Sequence, residues 1–306
     1  MATIYTHASA NIRRTWLLVS SMFILIIGVF WVFSYAYQNP AILWFGVAFS
    51  LLMNIASYWY SDKLVLAMSR AKPVAEKENP ELHRIIENLA ITSGLPKPRV
   101  YYIDDPAPNA FATGRDKNHA AVAVTRGLLE RLDRSELEGV LAHELSHIGN
   151  RDMLISTIVV VLAGIVAIVS DMFLRMMWFG GGRSSSNRDN RAGGIVMVLA
   201  IVGAILAPIA AMLIRLAVSR RREFLADASG VLLTRYPEGL ASALRKIAAD
   251  PRPLANAHTA TAHLFFENPF KADATASGRK TLWIVKLFMT HPPIEDRIRA
   301  LQQINV

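Results

Sequence analysis

From Thr15 to Ser61 the chain carries no Asp, Glu, Lys, Arg or His. No other feature restricts the fold so strongly. A bilayer core about 30 Å thick is crossed by about 20 helical residues, and this stretch holds two such lengths, divided at Gln38-Asn39-Pro40. The reading places spans at 16–37 and 41–60. Trp16, Trp31, Tyr35, Tyr37, Trp44, Tyr58, Trp59 and Tyr60 gather mostly toward the span ends, as an aromatic belt does. Two further uncharged runs, Met153–Ser170 and Ala192–Ile214, flank a Gly/Ser-rich segment at 180–194. Apolar all round and long, they predict a second membrane hairpin, kinked at Pro208.

Charge sets the orientation. Arg13 and Arg14 precede the first span, Lys63, Arg70, Lys72 and Lys77 follow the second, and Arg220, Arg221 and Arg222 follow the fourth, whereas the loop at 38–40 has no cation. Positive residues stay in the cytoplasm, so both termini and the polar segments are expected there. The loop between the third and fourth runs breaks the rule with Arg175, Arg183, Arg188 and Arg191. The net charge of +9 then fits an anionic lipid surface, with Arg220–Arg222 as a headgroup anchor, and no nucleic-acid partner. Cysteine is absent, which excludes disulfides, thiolate metal sites and a cysteine nucleophile.

In the polar part, Arg99–Asp104 and Ala120–Thr125 read as strands, the second as an edge candidate, and 105–109 as a turn. Leu82, Ile85, Ile86, Leu89 and Ala90 form a helical stripe over Glu81–Thr92. Ser135 to Glu138 reads as a capping box opening a helix, and Gly149-Asn150 as its end. Within that helix stands His143-Glu144-Leu145-Ser146-His147. Residues four apart share a helix face, so two imidazoles can reach one Zn²⁺, with Glu144 offset to act as general base on a water.

A catalytic zinc site needs a third protein ligand. Glu223 is the best candidate, with Asp227 one turn later to orient a ligand His N–H. His83, His119, His258, His263 and His291 are its rivals. Both candidate ligand helices extend neighbouring membrane runs on the same side, so the metal is expected just above the cytoplasmic face.

With Pro108-Asn109-Ala110-Phe111-Ala112-Thr113-Gly114, the His143–His147 motif, a hydrophobic hairpin, Glu223 to Asp227, and His291-Pro292-Pro293 with Arg297 in this order, the chain resembles the HtpX-type membrane-bound zinc metalloproteases, relatives of the CaaX prenyl endopeptidases. The resemblance implies His143, His147 and Glu223 as ligands of one Zn²⁺ per chain, Glu144 as the catalytic base and His291 as a donor to the oxyanion. It also implies endoproteolysis in the cell inner membrane, with unfolded or damaged membrane proteins as substrates and membrane lipids as partners.

The expected fold is mainly α: integral membrane helices carrying a cytoplasmic zincin-like α+β catalytic domain with a small β-sheet. Its parts are an N-terminal transmembrane hairpin (1–60), a first catalytic segment (61–152), a second transmembrane hairpin (153–218) and a last catalytic segment (219–306). Asn109, or the strand near it, is expected to hold substrate backbone, against a plain turn role. Arg297 is expected to make a structural salt bridge, with Asp227 as partner. The segment 263–270 is read as a mobile cover or a substrate-contacting loop. Two other readings remain compatible with these residues: a processing protease for lipidated substrates, and a catalytically silent membrane scaffold or chaperone-like binder.

Overall fold

The break at Gln38-Asn39-Pro40 is a helix cap. Gln38 takes a left-handed backbone with φ 52°. Asn39 Oδ1 then accepts from Ala41 N at 3.0 Å, and Pro40 occupies the first helical turn, where its missing N–H is no loss. This separates α1 (Ile4–Ala36) from α2 (Pro40–Met68). The computed structural model describes residues 4–36, 38–158, 220–255, 261, 264–269 and 292–304. The second expected hairpin therefore lies outside the described residues, apart from the helical stretch 152–158 at its start.

The first two helices pack as a hairpin. A side chain at Gly46 would collide with the Phe30 ring, so glycine permits the close approach. Phe45 closes the contact edge-on, with ring centroids 5.8 Å apart. Trp16, Leu17, Ile24, Trp31, Trp44, Phe45, Leu51 and Leu52 stay exposed, leaving the hairpin with a broad apolar exterior. Among the described residues no single helix is long and apolar enough to cross a membrane. The halves of α2, Pro40–Met53 and Tyr58–Met68, meet that test only together, with a 70° bend between them. The helix also runs past the expected end at residue 60. Its last turns belong to the polar part: Val65 and Leu66 are buried against the sheet, and the Asp62 carboxylate accepts from Arg99 Nη2 at 2.7 Å.

Four strands follow: β1 (Lys72–Pro73), β2 (Arg99–Ile103), β3 (Ala110–Gly114) and β4 (Ala120–Thr125), in spatial order β1-β2-β4-β3. The β2–β4 pair is parallel, and the β1–β2 and β3–β4 pairs are antiparallel. Instead of forming an edge, β4 lies inside the sheet. It is apolar at nearly every position because both faces are covered. On one side lie α3 (Pro80–Ser93), α5 (Arg134–Gly149) and α7 (Pro237–Ala248). On the other lie the end of α2 and Leu254, Leu264 and Phe265. In the edge strand β3 only Phe111 and Thr113 favour a strand, so Ala110, Ala112 and Gly114 depend on pairing with β4.

α4 (Arg126–Arg131), α6 (Arg220–Thr234) and α8 (Ile294–Gln302) complete the described helices. Leu145 of the first polar segment and Val231, Leu244 and Leu301 of the last share one core. The two polar segments fold together although the 153–218 region separates them in sequence.

Candidate metal centre

α5 starts two residues earlier than the sequence suggested. Asp133, not Ser135, is the cap: its Oδ1 accepts from Glu136 N at 3.0 Å, and Glu136 Oε2 accepts from Asp133 N at 2.9 Å. Glu136 also receives Ser242 Oγ and Lys246 Nζ, each at 2.6 Å, which ties the start of α5 to α7. The helix is buried on almost every side, with His143 1% and Glu144 2% exposed.

One helical turn brings the imidazoles of His143 and His147 together, with Nε2 atoms 3.2 Å apart. Two ligands at 2.0–2.1 Å from a tetrahedral zinc stand about 3.3 Å apart. α6 delivers Glu223 to the same point: Oε2 lies 3.8 Å from His143 Nε2 and Oε1 3.6 Å from His147 Nε2. One atom from each of the three residues falls within 4.8 Å of the other two. The helices come this close because Gly230 faces α5: a Cβ there would lie 3.0 Å from His143 N. Of the rival ligands, His83 bonds Val74 O at 3.0 Å and His119 bonds Asp116 at 2.8 Å. His258, His263 and His291 lie outside the described residues.

Behind His143, Asp227 Oδ1 stands 2.8 Å from Nδ1. Arg297 grips that carboxylate with two bonds, Nε to Oδ2 at 2.8 Å and Nη2 to Oδ1 at 2.6 Å. The arginine is fully buried, and its guanidinium lies over the Phe266 ring at 4.8 Å. Phe266 in turn meets the His143 ring edge-on at 5.0 Å. Behind His147, Asp152 Oδ2 lies 3.3 Å from Nδ1, and Arg222 Nε lies 3.6 Å from Asp152 Oδ1. Buried in this way, Arg222 is not the headgroup anchor expected of the Arg220–Arg222 cluster.

The protonation pattern follows. Burial pushes the His143 pKa down to about 4 against the opposing Asp227 bond. Burial acts the same way on His147, but the Asp152 bond and the Glu223 and Glu144 charges outweigh it and lift it to about 9. Burial works against the Asp227 charge too, and Arg297 more than compensates, holding that carboxyl at about 2. Glu144, Asp152, Glu223 and Asp227 are all buried, and so are Arg222 and Arg297. Four carboxylates against two guanidiniums leave two negative charges. Once a metal displaces the His147 proton, two neutral imidazoles and the Glu223 carboxylate, within that residual charge, suit a divalent ion.

Asn109 is 2% exposed, and its amide is engaged within the fold. Nδ2 donates to Glu267 O at 2.8 Å, while Oδ1 accepts from Glu267 N and Ala110 N, each at 3.1 Å. Together with the bond from Phe266 N to Ala110 O at 2.8 Å, this fastens Leu264–Glu267 onto the start of β3. Leu264, Phe265 and Phe266 are buried, so this stretch forms a wall of the site; of the 263–270 segment read as a mobile cover or substrate-contacting loop, 263 and 270 lie outside the described residues. Sequence reasoning passed over Asp152, although its place just after the helix-ending Gly149-Asn150 was a signal. It took in Phe266 only as part of the 263–270 segment, without its contact with the His143 ring.

The profile of peptidase family M48 matches residues 76–305. A protease HtpX homolog of Caldanaerobacter subterraneus is 41% identical over 307 residues, covering 99% of each chain. That of Pyrococcus furiosus is 48% identical over 293 residues, covering 95% of each. Among solved structures, S. mikatae Ste24p superposes with a TM-score of 0.51 at 19% identity, over 94% of this chain and 66% of that one, a likeness of fold. The full-length relatives and the profile match agree with the converging His143, His147 and Glu223: the chain belongs to peptidase family M48 and is a metalloprotease.

Proposed function

We propose that the chain is a zinc-dependent endoprotease embedded in the cell inner membrane. Its catalytic part faces the cytoplasm, and its substrates are misfolded or damaged membrane proteins. The observation that carries this reading is the meeting of His143, His147 and Glu223 beside the buried Glu144. Two imidazoles and a carboxylate favour zinc among the common divalent metals. When bound, the zinc would polarise the scissile carbonyl and acidify a water.

The rest of the chemistry belongs to the chain. Glu144, next to the ligand His143, removes a proton from the attacking water and returns it to the leaving amine. The low dielectric around this 2%-exposed carboxylate strengthens its electrostatic effect on both steps. Asp227 and Arg297 hold His143 in the tautomer that presents Nε2 to the metal. His291 is proposed as the donor to the oxyanion. On the β3 side, Asn109 holds the Leu264–Glu267 wall past which an extended substrate lies.

The membrane assignment rests on the exposed aromatic and aliphatic side chains of α1 and α2 and on the uncharged run that joins them. Because α2 continues into the sheet, the hairpin and the metal centre are parts of one packed unit. A substrate segment leaving the bilayer is then close to the site.

The test compares the purified protein with Glu144→Gln for zinc content and for cleavage of an unfolded protein. About one zinc per chain in both, with hydrolysis by the parent alone, supports the reading. Equal zinc and no hydrolysis by either, across unfolded and membrane substrates, would replace it with a membrane scaffold.

A further inference from the structure

We infer that Asp152, backed by Arg222, is a positioning residue for the metal ligand His147, the counterpart of Asp227 and Arg297 behind His143. This inference rests on the metalloprotease reading and extends it to residues assigned no role above.

The local fold aims Asp152 at the ligand. α5 ends at Gly149, Asn150 caps it, and Arg151 takes the left-handed backbone with φ 57°. That residue turns the chain, so the helical stretch 152–158 begins with Asp152 folded back toward His147. Its Oδ2 accepts from Nδ1–H at 3.3 Å. A donor at Nδ1 leaves the Nε2 lone pair facing Glu223 and His143, where a metal needs it.

A carboxylate 3% exposed needs a compensating charge, and Arg222, itself 8% exposed, supplies one at 3.6 Å. The same order of groups, arginine, aspartate, imidazole, stands on each side of the centre. Its members come from three separate parts of the chain: 222 and 227 on α6, 152 after α5, and 297 on α8. The two arms differ in strength. Asp227 is held by two bonds of 2.8 and 2.6 Å, whereas Arg222 Nε stands 3.6 Å from Asp152, and the His147 side chain keeps 16% exposure. His147 is therefore the looser ligand and depends on its aspartate to stay in register.

The experiment uses the full chain in detergent, stripped of metal, as the parent, Asp152→Asn, Asp152→Ala and Arg222→Gln. Zinc affinity is read by competition with a chelator, Co²⁺ coordination by its visible absorption, and fold by thermal unfolding of the metal-free forms. Loss of such a partner typically weakens metal binding about 10–100-fold. The expected order is parent, then Asp152→Asn, which keeps an acceptor without the charge, then Asp152→Ala, about tenfold or more below the parent. Co²⁺ spectra should change in the alanine variant, while the metal-free unfolding temperatures stay together. Zinc affinity of Asp152→Ala within twofold of the parent overturns the inference. So does a metal-free unfolding temperature that falls in step with affinity, which marks a structural role. If Asp152→Ala does not fold, Asp152→Asn decides: several-fold weaker zinc supports the inference and unchanged zinc overturns it. A parent chain that binds no zinc overturns the metalloprotease reading itself, a result separate from any difference between variants.

Discussion

Gly230→Ala tests whether the spacing of two helices sets the metal geometry. Glu223, Asp227 and Gly230 lie on one face of α6, and seven residues separate ligand from glycine, about 10.5 Å along the axis. An alanine Cβ at 230 would stand 3.0 Å from His143 N and 3.2 Å from both Ala142 C and His143 Cα, where ordinary contacts begin at 3.4 Å. These are backbone atoms inside a helix and cannot swing aside, so α6 must retreat by about 0.4 Å. Metal–ligand distances tolerate about 0.2 Å. Zinc affinity should fall about tenfold, equivalent to about 1.4 kcal/mol. Folding should survive: overpacking costs about 1–3 kcal/mol, and alanine recovers about 1 kcal/mol of helix propensity. Chelator competition measures the affinity and denaturant unfolding the stability. Gly149→Ala is the control, because beyond its own helix the new Cβ would meet, among the described residues, only Leu95 Cδ1, at an ordinary 3.9 Å. Zinc affinity of Gly230→Ala within twofold of the parent would refute the idea that helix spacing sets the ligand geometry.

Arg297→Met leaves Asp227 buried without its two-bonded partner and should cost about 3–5 kcal/mol in denaturant unfolding; adding Asp227→Asn should recover part of the loss. Asp250, fully buried, accepts from the Arg252 backbone N–H and from its Nε and Nη2; Arg252 outweighs burial and, with Arg131, holds the Asp250 pKa at about 2 against an ordinary 3.8. The folded value is the lower one, so the stabilisation is complete above about pH 4 and fades as pH falls toward 2. It amounts to about 1–2 kcal/mol once the half-exposed Arg252 is discounted, and Asp250→Asn should lose that much at pH 7 and little near pH 2. Removing bound metal with a chelator should lower the unfolding temperature as well as abolish hydrolysis, because it leaves the buried Glu223 carboxylate without its divalent counter-charge; at 1,000 times Kd the metal contributes about 4 kcal/mol. An unchanged unfolding temperature would show that the centre does not couple to folding.

The site's local half was legible for a plain reason. His143, Glu144 and His147 sit on one helix, where spacing in sequence is spacing in space. Glu223 could be named with Asp227 because they too share a helix. Nothing local identified the capping residue, since Asp133 and Ser135 are both good caps and the choice depends on Glu136 meeting Lys246 and Ser242 across the core. Strand β3 was missed because Ala110, Ala112 and Gly114 carry no strand preference, and β4 was placed at an edge because its neighbours were unknown. Arg222 looked like a surface cation, and only the turn at Arg151 brings it a buried partner.

By itself the sequence determined the apolar hairpin, the helix period that pairs the histidines, and the family, because each is written in residues near one another or in a motif order kept along the chain. The tertiary structure alone decided which distant groups face which. It set Arg297 on Asp227 across 70 residues, wrapped Leu264–Glu267 onto β3 through Asn109, and closed α6 on α5 at Gly230. Those contacts depend on how helices and strands pack around a shared core, and side-chain chemistry read along one strand or helix contains no term for the neighbour that packing will supply.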